Sequence, residues 1–134
     1  MSPRVDGVTV APEIARSKQI SLTTYRKDGT PVATPVWQVM DGEEMLTVSQ
    51  AGAWKVKRIR NNSRVLVTPC SFAGKVAPGA PSAAGTARLL DDEGTAAARK
   101  LLQRRYVSAR IGEWVQSVFR LRRKPGIGIA IRFD

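Results

Sequence analysis

Between Gln19 and Tyr25 the residues Ile20, Leu22 and Thr24 alternate with Gln19, Ser21 and Thr23, the two-residue period of a strand with one buried face. Lys27-Asp28-Gly29-Thr30 then signals a hairpin, since Gly29 can take the positive φ that such a turn demands. A second strand is predicted from Val32 to Met40, and Asp41-Gly42 marks the next turn. Met45 to Ser49 makes a third, with Leu46 and Val48 on one face, so this part reads as an antiparallel meander. Val65, Leu66 and Val67 centre a strand from Arg64 to Cys70 that is apolar enough to be buried on both sides. Ser71 to Ser82 holds Gly74, Pro78, Gly79 and Pro81 and is a loop, followed by a strand from Ala84 to Leu90. The last run places Ile127, Ile129, Ile131 and Phe133 on one face and Gly128, Ala130 and Arg132 on the other.

Helical spacing interrupts these strands. Residues 1–17, with Pro3, Gly7 and Pro12, predict an N-terminal arm leading into a short helix at Glu13-Ile14-Ala15-Arg16. After the third strand Val56 and Ile59 lie three apart, Gly52 can start a helix and Asn61-Asn62 can end it, roughly three turns in all. Asp91 or Asp92 can cap a further helix that carries Ala97, Ala98, Leu101, Leu102 and Tyr106 on one side. Ile111, Trp114, Val115, Val118 and Phe119 then follow at amphipathic spacing until Pro125-Gly126. Residues 91–124 thus form a helical insertion before the closing strand. Six strands in this order predict a mainly β fold, a small antiparallel barrel rather than a βαβ sheet, with residues 1–134 as one domain. The terminal strand closes the edge that the meander leaves open.

Charge narrows the function. The 134 residues carry 22 Lys and Arg against 11 Asp and Glu, a net charge of +11, which favours an anionic partner. There is no histidine, so Ser-His and Cys-His nucleophilic pairs and the usual mixed zinc sites are excluded. An enzyme with this composition has its chemistry carried by a bound cofactor. One cysteine, Cys70, excludes an internal disulfide. It sits beside a buried strand and reads as an inert small hydrophobe. With no apolar leader and no long apolar run, the expected location is the cytoplasm.

The cations concentrate in two places. Gly52 to Arg64 contains Lys55, Lys57, Arg58, Arg60 and Arg64 with no acid, and a basic helix start beside a strand end suits a phosphorylated ligand. The bland alternative is a solvated helix face. Arg99 to Lys124 holds nine Lys and Arg against Glu113 alone. It reads first as a soluble helical face, then as the wall of a pocket for an acidic tail, and last as attachment to an anionic lipid surface.

The order of motifs resembles a known family. Ser21-Leu22-Thr23-Thr24-Tyr25-Arg26-Lys27-Asp28-Gly29-Thr30-Pro31-Val32-Ala33-Thr34-Pro35-Val36-Trp37 is similar to the opening of the pyridoxamine-phosphate-oxidase-like split β-barrels, which share the FMN-binding fold. It resembles in particular the branch of oxidoreductases that depend on the deazaflavin coenzyme F420. Lys55 to Asn62, Arg64-Val65, Pro69-Cys70 and Gly85-Thr86-Ala87 continue the pattern, which extends from about Lys18 to Leu90. The resemblance implies a split barrel of six or more antiparallel strands and a homodimer with the cofactor at the subunit interface. It implies that Thr34, Pro35, Val36 and Trp37 with Ser49 and Gln50 line the ring and linker, and that Lys55, Lys57 and Arg58 meet the phosphate end or the ring carbonyls. Trp54, where a small or polar residue is common, and Ser63, where proline is frequent, depart from the pattern.

F420 carries a phosphodiester and a glutamate tail, whereas flavin mononucleotide (FMN) needs similar phosphate contacts, so charge alone does not separate them. The resemblance favours F420 and hydride transfer to an organic acceptor, the proton donor being open between Tyr25, Tyr106 and water. A non-catalytic carrier of F420, FMN or a tetrapyrrole is the alternative. Nucleic acid is not expected, because only eight aromatic residues occur and none forms a stacking platform in the exposed basic segments.

Overall fold

The computed structural model describes residues 11–71, 73–106 and 126–134. Its strands are β1 (Gln19–Tyr25), β2 (Pro31–Trp37), β3 (Val39–Asp41), β4 (Glu44–Gln50), β5 (Arg64–Cys70), β6 (Ala83–Leu89) and β7 (Gly126–Phe133). Its helices are α1 (Pro12–Arg16), α2 (Trp54–Asn61) and α3 (Asp92–Arg105). The seven strands form one antiparallel sheet in the order β2-β1-β5-β6-β7-β4-β3.

The outermost strands, β2 and β3, are neighbours in the chain with only Gln38 between them. The sheet therefore curls until its two ends meet at that residue. Ile20 pairs with Val36 on one side of the break and Val39 with Leu46 on the other. This corrects the expected strand from Val32 to Met40: it is interrupted at Gln38, and each half serves a different neighbour. The expected meander is corrected with it. Its middle strand touches both partners, but no ladder joins β2 to β4, and the barrel is split there. The fold is a mainly β, split antiparallel barrel. The closing strand behaves as its pattern predicts, pairing with β4 from Gln50↔Gly126 to Glu44↔Arg132 and with β6 from Leu89↔Ile129 to Gly85↔Phe133.

Alternation decides what lies inside. Ile20, Leu22, Val36, Met45, Val65, Val67, Ala87, Ile129, Ile131 and Phe133 fill the interior together with Ile14 of α1 and Ile59 of α2. The intervening residues Val39, Leu46, Val48 and Ala130 meet Ala98, Leu102 and Tyr106 on the outer surface beneath α3. Gly85 allows the close approach of β6 to β7, because a Cβ there would lie 2.6 Å from the Arg132 carbonyl oxygen.

Side chains tie the ends of the barrel. Gln38 is fully buried, and its Nε2 donates to the carbonyls of Ser17 at 2.6 Å, Ala15 at 3.1 Å and Ile14 at 3.4 Å. Arg105 donates to the carbonyls of Gln38 at 3.2 Å and Arg16 at 3.1 Å. The Tyr106 hydroxyl is shared between the carbonyls of Gln38 at 2.5 Å and Lys18 at 3.0 Å. Burial raises the Tyr106 pKa, outweighing the opposing effects of Arg105 and of its bond to Gln38. Its hydroxyl is thus occupied in holding the seam.

Of the two candidate caps for α3, the structure uses Asp91, whose Oδ1 accepts from Gly94 N at 2.8 Å. Asp91→Ala leaves that amide without its acceptor and lowers stability by about 1 kcal/mol in denaturant unfolding. Asp91→Ser retains most of the stability. The amphipathic stretch at 111–119, with the rest of the insertion after Tyr106 up to Lys124, lies outside the described residues. No described helix is long and apolar enough to cross a membrane.

Candidate functional site

Gln50 ends β4, and its carbonyl accepts from Ala53 N at 3.0 Å, turning the chain into α2. The helix starts at Trp54, with Ala53 as an N-cap that offers no side-chain bond, and gives way at Asn62. Its eight residues make about two turns, one fewer than expected, because the cap falls after Gly52. Val56 and Ile59 are buried against the barrel end. Trp54, Lys57, Arg58 and Asn61, at i, i+3, i+4 and i+7, therefore share another face.

That face lines a groove of about 470 Å³ whose other residues are Arg26 and Lys27, in the turn that follows β1. Among the described residues four cations line it and no carboxylate does. Asp28, next in the turn, is engaged elsewhere: its carboxylate accepts from Thr30 N at 2.9 Å, and that bond is the main reason its pKa is lowered. Arg58 is anchored by Nε, which donates to the buried Thr24 Oγ1 at 2.7 Å. Burial and then repulsion from Arg26 lower the Arg58 pKa, so two guanidinium groups share the groove with no counter-ion among the described residues that line it. Lys57 Nζ lies 4.4 Å from the centroid of the Trp54 ring, whose residue is 71% exposed. Lys55 is half-buried and outside the groove lining, and its pKa is lowered by burial first and by Arg58 second.

The other residues expected at the site fall into distinct places. Thr34 pairs with Leu22 and Val36 with Ile20, so both side chains face the interior beside the split, and Thr34 Oγ1 is buried without a hydrogen-bond partner. Ser49 is buried on the other side of the split, opposite Ile127. Pro35 is exposed on the outer face of β2, consistent with an edge strand that tolerates a missing donor. The turn at Gly74 lies against it: a Cβ on Gly74 would be 3.5 Å from Pro35 Cγ. Trp37 meets the Tyr106 ring edge-on, with centroids 5.0 Å apart and an angle of 70°, in the cluster beneath α3. Cys70 is half-buried and burial raises its pKa, which disfavours the thiolate.

Sequence reasoning locates Lys57 and Arg58 but misses Arg26 and Lys27 as their groove partners. Those two read only as hairpin residues. The available signal is a pair of cations at the end of a strand whose Thr24 binds Arg58, which requires knowing where β1 ends relative to α2. Among the described residues no group of three or more Cys, Asp or Glu could hold a metal ion.

Residues 9–131 match the family described as pyridoxamine 5'-phosphate oxidase. No curated protein is similar enough in sequence to match the chain. Among solved structures, one described as an F420 reductase superposes with a TM-score of 0.65 at 21% identity, covering 90% of this chain and 90% of its own. HutZ, a heme storage protein from Vibrio cholerae, gives a TM-score of 0.69 at 14% identity over 91% of this chain and 85% of its own. A heme binding protein from Mycobacterium smegmatis gives 0.64 at 15% identity over 91% of this chain and 49% of its own. At these identities the likeness is one of fold.

Proposed function

The chain belongs to the pyridoxamine 5'-phosphate oxidase family, and on that premise we propose that it is an F420-dependent oxidoreductase that reduces an organic acceptor. The observation that carries this reading is the groove itself: Arg26, Lys27, Lys57 and Arg58 converge with no acid among the described residues that line it. A phosphodiester followed by glutamate carboxylates matches four cations better than the single phosphate of FMN does. When bound, reduced F420 supplies a hydride from C5.

The protein's part is to hold and to exclude. Arg26, Lys27, Lys57 and Arg58 fix the acidic tail, while Lys55 adds positive potential from its half-buried position. Along Thr34, Pro35, Val36 and Trp37, β2 is a sheet edge with one strand partner, and this edge would carry the rim of a planar ring. Ser49 and Gln50, at the end of β4 across the split, lead into α2 and would line the linker between ring and tail. Fixing the ring at one end and the tail at the other restricts the orientation of the acceptor and excludes water from it. A second copy of the chain completes the acceptor pocket, and light scattering should return a dimer mass.

The test is titration of the purified chain with F420, with FMN and with heme. F420 should bind tightly, and reduced F420 should be oxidised by at least one acceptor in a broad panel. Tight FMN binding with no response to F420 overturns the cofactor assignment. Binding of F420 without turnover across the panel favours a carrier. The heme neighbours make heme the natural third ligand, although without histidine an iron ligand would have to be another residue type.

A further inference from the structure

The cations of the groove account for an anion, but not for Trp54. An indole left 71% exposed at the start of α2 is the one aromatic ring among the described lining residues, the others being four cations and Asn61. Lys57 lies over it at 4.4 Å, so the ammonium is held at the ring instead of sweeping through solvent. Trp54, Lys57, Arg58 and Asn61 run the length of an eight-residue helix, about 12 Å. Arg26 and Lys27 face them from the hairpin. Cations are therefore spaced along this face of α2, with the flat Trp54 ring at its first residue.

We propose that Trp54 determines the specificity of this groove, selecting an extended chain of carboxylates with methylene spacers, an oligo-γ-glutamyl chain, over a compact phosphate. The inference rests on the reading of the groove as the holder of the cofactor's acidic tail. A phosphate is all oxygen at its surface and gains nothing from the apolar face of an indole. A γ-glutamyl chain alternates anionic and apolar segments. Its methylenes can cover the Trp54 ring while its carboxylates reach Lys57, Arg58, Arg26 and Lys27. Lys57, already held at the ring, can donate to a carboxylate without giving up its aromatic contact.

The probes are tri-γ-glutamate, pyrophosphate, and F420 with short and long glutamate tails, each titrated calorimetrically into the full chain and into Trp54→Ser and Trp54→Phe. Because Trp54 is exposed, both variants should keep the melting temperature of the parent. Trp54→Ser should weaken tri-γ-glutamate by about ten-fold while pyrophosphate stays within about two-fold, and Trp54→Phe should restore most of the loss. Long-tailed F420 should lose more than short-tailed F420. Equal losses for tri-γ-glutamate and pyrophosphate, no loss for either, or pyrophosphate binding where the tripeptide does not, would each overturn the proposal. The two readings fail separately. F420 binding that ignores both tail length and Trp54 removes the selectivity and leaves the cofactor assignment. Trp54-dependent binding of the tripeptide with no binding of F420 does the reverse.

Discussion

Gln38→Ala should lower the free energy of unfolding by about 3 kcal/mol, read as a denaturant midpoint shift at constant slope. The carboxamide donates to the carbonyls of Ser17, Ala15 and Ile14 from a fully buried position. Alanine would take this donor from the Ser17 and Ala15 carbonyls, while that of Ile14 keeps Ser17 N at 3.2 Å, and would open a void where β2 gives way to β3. Tyr106 and Arg105 would keep their bonds to the Gln38 backbone carbonyl, so the loss should fall on α1 and the seam rather than on α3. Gln38→Glu separates hydrogen bonding from packing. Its carboxylate would face carbonyl oxygens without water, so the folded-state pKa should rise above the unfolded value of about 4.3. The folded form then binds more protons. Stability is retained below that unfolded value and falls as pH rises toward the folded pKa, by about 1.4 kcal/mol for each pH unit between the two values. A Gln38→Glu variant with the parent's pH profile would show that the carboxamide is not the tie.

Gln38 also marks the limit of what the sequence discloses. The alternation from Val32 to Met40 is nearly continuous, and nothing in it signals that one residue hands the chain from β1 to β4. Periodicity reports which side of a sheet a residue faces, but not which strand lies beside it. The faces are accordingly legible. Ile127, Ile129, Ile131 and Phe133 do point together, Leu46 and Val48 do lie under α3, and Asp91 does cap it. The start of α2 is harder to read, because Gly52, Ala53 and Trp54 offer no capping side chain. For the groove, the run of cations on one helix singles out Lys55, Lys57 and Arg58, of which Lys57 and Arg58 line it and Lys55 does not. Arg26 and Lys27 are far from them in sequence and join them only through the hairpin's position over the barrel end. Trp54 is visible as an oddity in the motif, but its meaning depends on its exposure and on Lys57.

The groove trades stability for binding. Arg26 and Arg58 repel each other closely enough for Arg26 to be the second cause of the lowered Arg58 pKa. Arg58 cannot move away at no cost, since Nε is bonded to Thr24 Oγ1 at the end of β1. A bound anion relieves this repulsion, so the native state should gain stability as ligand concentration rises. The effect should fade with added salt, because Arg26 and Lys27 are exposed.

Arg26→Gln should therefore weaken F420 binding by about ten- to a hundred-fold, the loss of one charge-assisted contact, while the unliganded chain unfolds at the parent's midpoint or slightly above it. Arg58→Gln should weaken binding by a similar factor but also destabilise the chain by about 1 kcal/mol, because it deprives a buried hydroxyl of its donor. The contrast is diagnostic. A purely structural role for the two arginines predicts that binding and stability fall together in both variants. A role in holding an anion predicts that they separate in Arg26→Gln and fall together only in Arg58→Gln. Calorimetric titration of each variant at low and high salt, paired with denaturant unfolding in the presence and absence of F420, measures both quantities. Affinity of Arg26→Gln within about two-fold of the parent, with an unchanged salt dependence, would remove Arg26 from the site and leave the groove without its hairpin wall.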